Sequence, residues 1–148
     1  MNQLYALPGH LIRRLHQQAV AAFVIEAKAA GFDDLTPVQY GTLATLLAHP
    51  GIDQATLAGL VAYDRVTIGG VVSRLESRGY LTRNISETDR RARTLTLTER
   101  GESVVQTIQP AVRAAQARIL SPLDPDAQAL FMQLLYRMTD TDSPAASG

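Results

Sequence analysis

The chain has 148 residues, 46% of them hydrophobic, enough for one domain or one two-lobed unit with a real core. It has no cysteine, which excludes disulfides and thiol redox sensing; it has no apolar run of membrane-spanning length and no secretion-signal pattern, so a cytoplasmic protein is expected. Its formal net charge is zero, which taken alone speaks against a nucleic-acid binder.

The first predicted helix covers residues 8–30, with Leu11, Ile12, Leu15, Ala19, Ala22, Phe23 and Ile25 at three- and four-residue steps, and Gly31 ends it. Thr36 then caps a second helix with Pro37 in its first turn and a stripe of Tyr40, Leu43, Leu46 and Leu47. Asp53 caps a short third helix, 54–61, with Leu57 and Leu60 expected inward. After a tight connection at Ala62 and Tyr63, Asp64 caps a fourth helix, 65–78, whose apolar positions are Ile68, Val71, Val72 and Leu75. Residues 81–85 and 92–97 alternate like strands around a charged loop, which predicts a β-hairpin with a basic tip. Thr98 caps a long fifth helix with Gly101 in its first turn and Pro110 as an expected kink. A sixth helix starts at Asp124 or Pro125 and runs to Met138, and the small polar tail 139–148 is expected to be disordered.

The charge is unevenly spread. From Val61 to Arg100 there are eight Arg and five acids, a net of +3, so the rest of the chain carries −3. Every basic residue in that segment is Arg, whose rigid donor fork suits phosphates and guanine edges. A short helix, a tight connection and a longer helix form a helix-turn-helix, which presents the start of its second helix to a major groove. Here that start holds Asp64, Arg65, Thr67 and Ile68, followed by Gly69 and Gly70, with Arg74 and Arg78 further along to meet phosphates or acidic neighbours. Two glycines inside a helix cost about 1 kcal/mol each, which suits a backbone that something must approach closely. The hairpin tip holds Asp89, Arg90, Arg91 and Arg93, where Asp89 is expected to fix one Arg by a salt bridge and leave another for a narrow minor groove.

The run DRVTIGGVVSRLESRGYLTRNISETDRRARTLTLTERG resembles the winged-helix core of the MarR (multiple antibiotic resistance regulator) family. It carries Arg74-Leu75-Glu76, Gly79-Tyr80, Arg83, Asp89-Arg90-Arg91, and Leu97-Thr98 with Gly101 in the family's order. The resemblance implies a mainly α fold with a small β-hairpin wing, a winged helix-turn-helix with a helical dimerisation lobe, and a triangular homodimer. In that plan 1–35 and 102–138 form the dimerisation lobe and 36–101 the DNA-binding lobe. It implies a repressor that reads a pseudo-palindrome in double-stranded DNA and is released by a small molecule. Arg65 and Thr67 would meet the major groove, and Arg90 or Arg91 the minor groove.

The first helix adds His10, Arg13, Arg14 and His16 beside apolar residues, and Tyr40 joins an aliphatic face on the second. A cation next to aromatic and aliphatic walls suits a flat aromatic carboxylate. The segments GHLIRRLHQ, LTPVQY and DRVTIGGVV are similar to the branch of the family that controls breakdown of aromatic acids, which implies an aromatic acid effector and no other cofactor. Three other readings compete. An enzyme lacks support, because there is no glycine-rich phosphate loop, nucleophile elbow or HExxH spacing. A metal-responsive regulator would use His10 and His16 with nearby acids. The third is a winged helix that binds protein and never touches DNA.

Overall fold

A computed structural model of the chain describes residues 2–144. A 3-10 turn, Gln3–Ala6, precedes α1 (Pro8–Ala29) and α2 (Pro37–Ala48). Then follow β1 (Ile52–Asp53), α3 (Gln54–Leu60), α4 (Arg65–Ser77), β2 (Leu81–Ile85), β3 (Arg93–Leu97), α5 (Glu99–Leu120) and α6 (Pro125–Thr139). No single helix among the described residues is long and apolar enough to cross a membrane.

Side-chain caps set most helix starts. Thr36 and Gln39 form a reciprocal capping box on α2, and Asp53, Asp64, Thr98 and Asp124 each accept from the third backbone N–H of the helix they open. Pro110 sits inside α5, which runs unbroken through it, so the expected kink does not interrupt the helix. The hairpin gains a third strand: β1 pairs with β3 and β2 lies on the other side, all antiparallel, with Leu81 opposite Leu97 and Ile52 opposite Leu95. A two-residue strand carries too little alternation to be read from sequence.

One core joins the helices and the sheet. Phe23 of α1, Leu43 and Leu46 of α2, Leu57 of α3, Ile68, Val72 and Leu75 of α4, Leu81 and Leu95 of the sheet, and Val105 and Ile108 of α5 are all buried. Two residues expected inward, Leu47 and Leu60, are not. Leu11, Ile12 and Ile25 are exposed as well, and α6 buries nothing while Leu130 and Leu134 face out. The exposed apolar positions of α1 and α6 are too numerous for a self-sufficient surface. The expected disordered tail begins in order: Thr139 belongs to α6, Asp140 caps it in the left-handed conformation, and the Thr141 N–H returns to the Tyr136 carbonyl at 3.2 Å. Residues 145–148 lie outside the described part of the chain.

Gly101 fixes how the wing meets α5. A Cβ on it would overlap the Tyr80 carbonyl oxygen. That oxygen accepts from the Thr98 N–H, and the Thr98 hydroxyl donates to the Gly79 carbonyl. The start of α5 therefore lies directly on the turn into β2, and only glycine permits that approach.

Candidate nucleic-acid interface and a neighbouring cavity

Between α3 and α4 the chain turns through 109°, within the range of a helix-turn-helix. Ala62 makes the turn with φ of 58°, and the Tyr63 N–H returns to the Ala58 carbonyl. Asp64 then holds the first turn of α4: one carboxylate oxygen accepts the Thr67 N–H at 2.8 Å and the other the Thr67 hydroxyl at 2.7 Å. Asp53 does the same for Thr56 on α3, at 2.7 and 2.8 Å. The Thr N–H bond and then the hydroxyl bond hold both carboxyls below the ordinary aspartate value, so both are charged at neutral pH.

The exposed start of α4 presents Arg65, Val66 and Thr67. The Thr67 hydroxyl hydrogen is committed to Asp64, so toward DNA this side chain offers lone pairs and a methyl group rather than a donor. Ile68 is fully buried and cannot reach a base edge, which corrects its expected DNA contact. Val66 is instead the apolar residue left open at this end of the helix, at 87% exposure. The helical period carries the signal: a stripe at 68, 72 and 75 turned inward puts residue 66, two positions earlier, on the far side.

The two glycines differ. Gly69 is half-buried and faces α3, where an added Cβ would lie 3.4 Å from the Gln54 amide nitrogen. Gly70 is exposed with open space around it, so packing gives no reason for it. Arg74 is exposed on the same helix, whereas Arg78 is taken by an acid: its guanidinium pairs with the Asp34 carboxylate at 3.1 Å and donates to the Asp34 carbonyl at 3.2 Å.

In the wing, the Asp89 carboxylate accepts the Arg91 backbone N–H at 3.0 Å. The described ion pairs are Arg78–Asp34 and Arg118–Glu26, so the expected Asp89–Arg salt bridge is corrected to a turn in which Asp89 binds backbone. Ser86 supports the same turn by accepting from the N–H groups of Thr88 and Asp89. Arg91 and Arg93, with Arg65, Arg83, Asp53 and Gln54, line a cleft of about 260 Å³, and the Arg93 guanidinium donates back to the Arg90 carbonyl at 3.1 Å. Arg90 is exposed and is not among the residues lining that cleft.

The expected effector residues are divided. His16 and Tyr40 meet in a cavity of about 230 Å³ between α1, α2 and α5, with Phe23, Val112, Gln116 and Ile119 among its walls. The Tyr40 hydroxyl accepts from Gln109 at 3.1 Å. A second groove of about 340 Å³, walled by Ile12, Leu15, Phe131 and Leu135, shares His16 and Gln116 with it. Arg14 instead lies over the Tyr5 ring at 5.5 Å, and His10 packs against the same ring at 5.8 Å. Arg13 is exposed, and none of His10, Arg13 and Arg14 lines the cavity. The sequence pattern placed them together because they share one helix; Tyr5, in the 3-10 turn, draws two of them to the far end. Among the described residues no three His, Asp, Glu or Cys side chains gather as a metal site.

Residues 33–92 match the profile of the MarR family. The transcriptional regulator HosA of Escherichia coli is 32% identical over 132 residues, 89% of this chain and 94% of HosA. The chain belongs to the MarR family. It is also 31% identical to the repressor NicR of Pseudomonas putida over 137 residues, 93% of this chain and 85% of NicR. MarR-type structures superpose closely. PcaV of Streptomyces coelicolor, in complex with its natural ligand, matches with a TM-score of 0.81 and 36% identity over 93% of this chain and 94% of that one. BpsR of Bordetella bronchiseptica, whose DNA binding is regulated by 6-hydroxynicotinic acid, gives 0.83 and 29% over 92% and 95%. The repressor CouR bound to a 23-mer DNA duplex gives 0.82 and 26% over 94% and 96%. The MarR fold thus accounts for the mainly helical chain with its small winged sheet.

Proposed function

We propose that this MarR-family chain is a cytoplasmic repressor of a catabolic operon, which binds a pseudo-palindromic operator as a homodimer and is released by a small aromatic carboxylic acid. The observation that carries it is one face holding two unpaired arginine-bearing elements. Arg65 at the open start of α4 and Arg90, Arg91 and Arg93 in the wing lack acidic partners among the described residues. Val66 and Thr67 supply apolar contact for thymine methyl groups, Arg65 suits a guanine edge or phosphate, and Arg74 suits the backbone. Arg90 is the arginine free for the minor groove, since Arg91 lines the cleft and the Arg93 guanidinium is bonded to the Arg90 carbonyl. The likeness to CouR on a duplex supports the DNA reading.

The homodimer follows from the faces of α1 and α6 that the single chain leaves uncovered. Two copies joined there carry their recognition helices to successive major grooves, about 34 Å apart or a multiple of it.

The effector reading rests on the His16–Tyr40 cavity and on the likeness to BpsR. Its walls take an aromatic ring, and His16, with Gln116 beside it, faces the carboxylate. The cavity joins α2, next to the helix-turn-helix, to α1 and α5. A ligand there shifts DNA affinity only by preferring a spacing of the recognition helices that DNA does not. Titration calorimetry of the wild type and His16→Ala against a panel of aromatic acids tests it. The reading expects at least one acid to bind and the variant to lose it; no binding by any acid, or an unchanged variant, contradicts it.

A further inference from the structure

We propose that the cleft between the recognition helix and the wing seats a single phosphate of the DNA backbone, with Arg83 and Gln54 shaping the seat. The inference rests on the DNA reading above and assigns a role to two residues outside the recognition helix and the wing loop.

Arg65 from α4, Arg83 from β2, and Arg91 and Arg93 from the wing border the same 260 Å³. Four like charges in that space repel one another, and none has an ion-pair partner among the described residues. The one acid in the lining, Asp53, spends both oxygens on the Thr56 N–H and hydroxyl. The cleft therefore keeps a net positive charge, although the Arg93 guanidinium also donates to the Arg90 carbonyl at 3.1 Å. Arg83 is held in place by a hydrogen bond to the Ser73 hydroxyl at 2.9 Å, yet its Nε is shut from solvent without a partner. The Gln54 Oε1 beside the cleft is in the same condition. Buried polar atoms left unpaired are costly, and an oxyanion with its attendant water satisfies both.

Position chooses the oxyanion. The cleft opens between the two elements that flank a DNA strand when α4 lies in the major groove and the wing beside it, so the strand's phosphate passes across it. A phosphate held by both elements fixes the wing relative to the helix and carries no base information.

The test uses the dimeric wild type, Arg83→Gln and Gln54→Glu, each first shown to be folded by its thermal transition. Gln54→Glu fills the cleft with a fixed carboxylate and is the second variant should Arg83→Gln fail to fold. Affinities for a random-sequence duplex and for a duplex selected by the wild type are measured across a salt series. Each variant should weaken both duplexes by one common factor, about tenfold near 0.1 M salt, and make the slope of log affinity against log salt shallower by about one. A single neutral methylphosphonate scanned along the selected duplex should, at one position, bring the wild type down to the level of Arg83→Gln and leave that variant unaffected. Wild-type slopes in both variants overturn the seat, as does a loss confined to the selected duplex. If inorganic phosphate raises the melting temperature of wild type but not of Arg83→Gln while their DNA affinities agree, the cleft holds a free anion instead, and the DNA assignment is overturned. A wild type that binds neither duplex overturns the DNA reading itself.

Discussion

Arg78, which closes the recognition helix, grips Asp34 in the loop between α1 and α2 by both its side-chain carboxylate and its main-chain carbonyl. The far end of α4 is thereby tied to the element that leads out of α1. Arg78 keeps 30% of its side-chain surface and Asp34 keeps 74%, so water screens the pair. Its worth to stability is under about 1 kcal/mol. Arg78→Ala should cost no more than that in urea denaturation. Because Arg78 is held by an acid and not by phosphate, the variant should also keep the wild-type salt slope for DNA. A slope shallower by a full unit contradicts this placement.

Gly101→Ala tests the seam between wing and dimer lobe. The new methyl group meets main-chain carbonyl atoms of Tyr80, which cannot swing aside as a side chain would. Overpacking of this kind costs about 3 kcal/mol, measurable as a lower urea midpoint with an unchanged slope. A variant as stable as wild type shows that the approach is looser than described.

Gly70 and Gly69 separate stability from function. Alanine at Gly70 meets open space, so it should stabilise α4 by about 1 kcal/mol while weakening DNA binding, if DNA backbone approaches that turn. Alanine at Gly69 reaches ordinary contact with the Gln54 amide and should leave DNA affinity nearly unchanged. Equal DNA affinity for Gly70→Ala and wild type removes the close-approach reading.

Val66 and Arg90 should read different grooves. Replacing thymine by uracil removes the methyl group that Val66 touches, so wild type should lose affinity at one or two positions where Val66→Ser is indifferent. Arg90→Ala should cost more than tenfold on a duplex with A·T pairs beneath the wing, and less on one with G·C pairs there. A variant that loses the same factor on both duplexes assigns Arg90 to phosphate.

Much of this was legible in the sequence because it is local. The caps at Thr36, Asp53, Asp64 and Thr98 announce themselves, and the period of α4 fixes its buried stripe. What depended on distant partners was not legible. Leu60 sits on the apolar spacing of a short helix and looks like core, yet it is exposed, because seven-residue α3 turns only the face of Leu57 and Ala58 inward. Asp89 among arginines suggests an ion pair, yet a backbone N–H two residues on is nearer than any guanidinium. The gathering of Arg65, Arg83, Arg91 and Arg93 needs the third strand and the position of the wing, and neither leaves a periodic trace.

The central claim is sequence-specific DNA binding through α4 and the wing. The most direct measurement is fluorescence polarisation of a labelled duplex taken from the DNA beside this protein's own gene, competed with its scrambled sequence. Specific binding at least about a thousandfold tighter than to the scrambled duplex is predicted. Equal affinity for the two sequences contradicts the account.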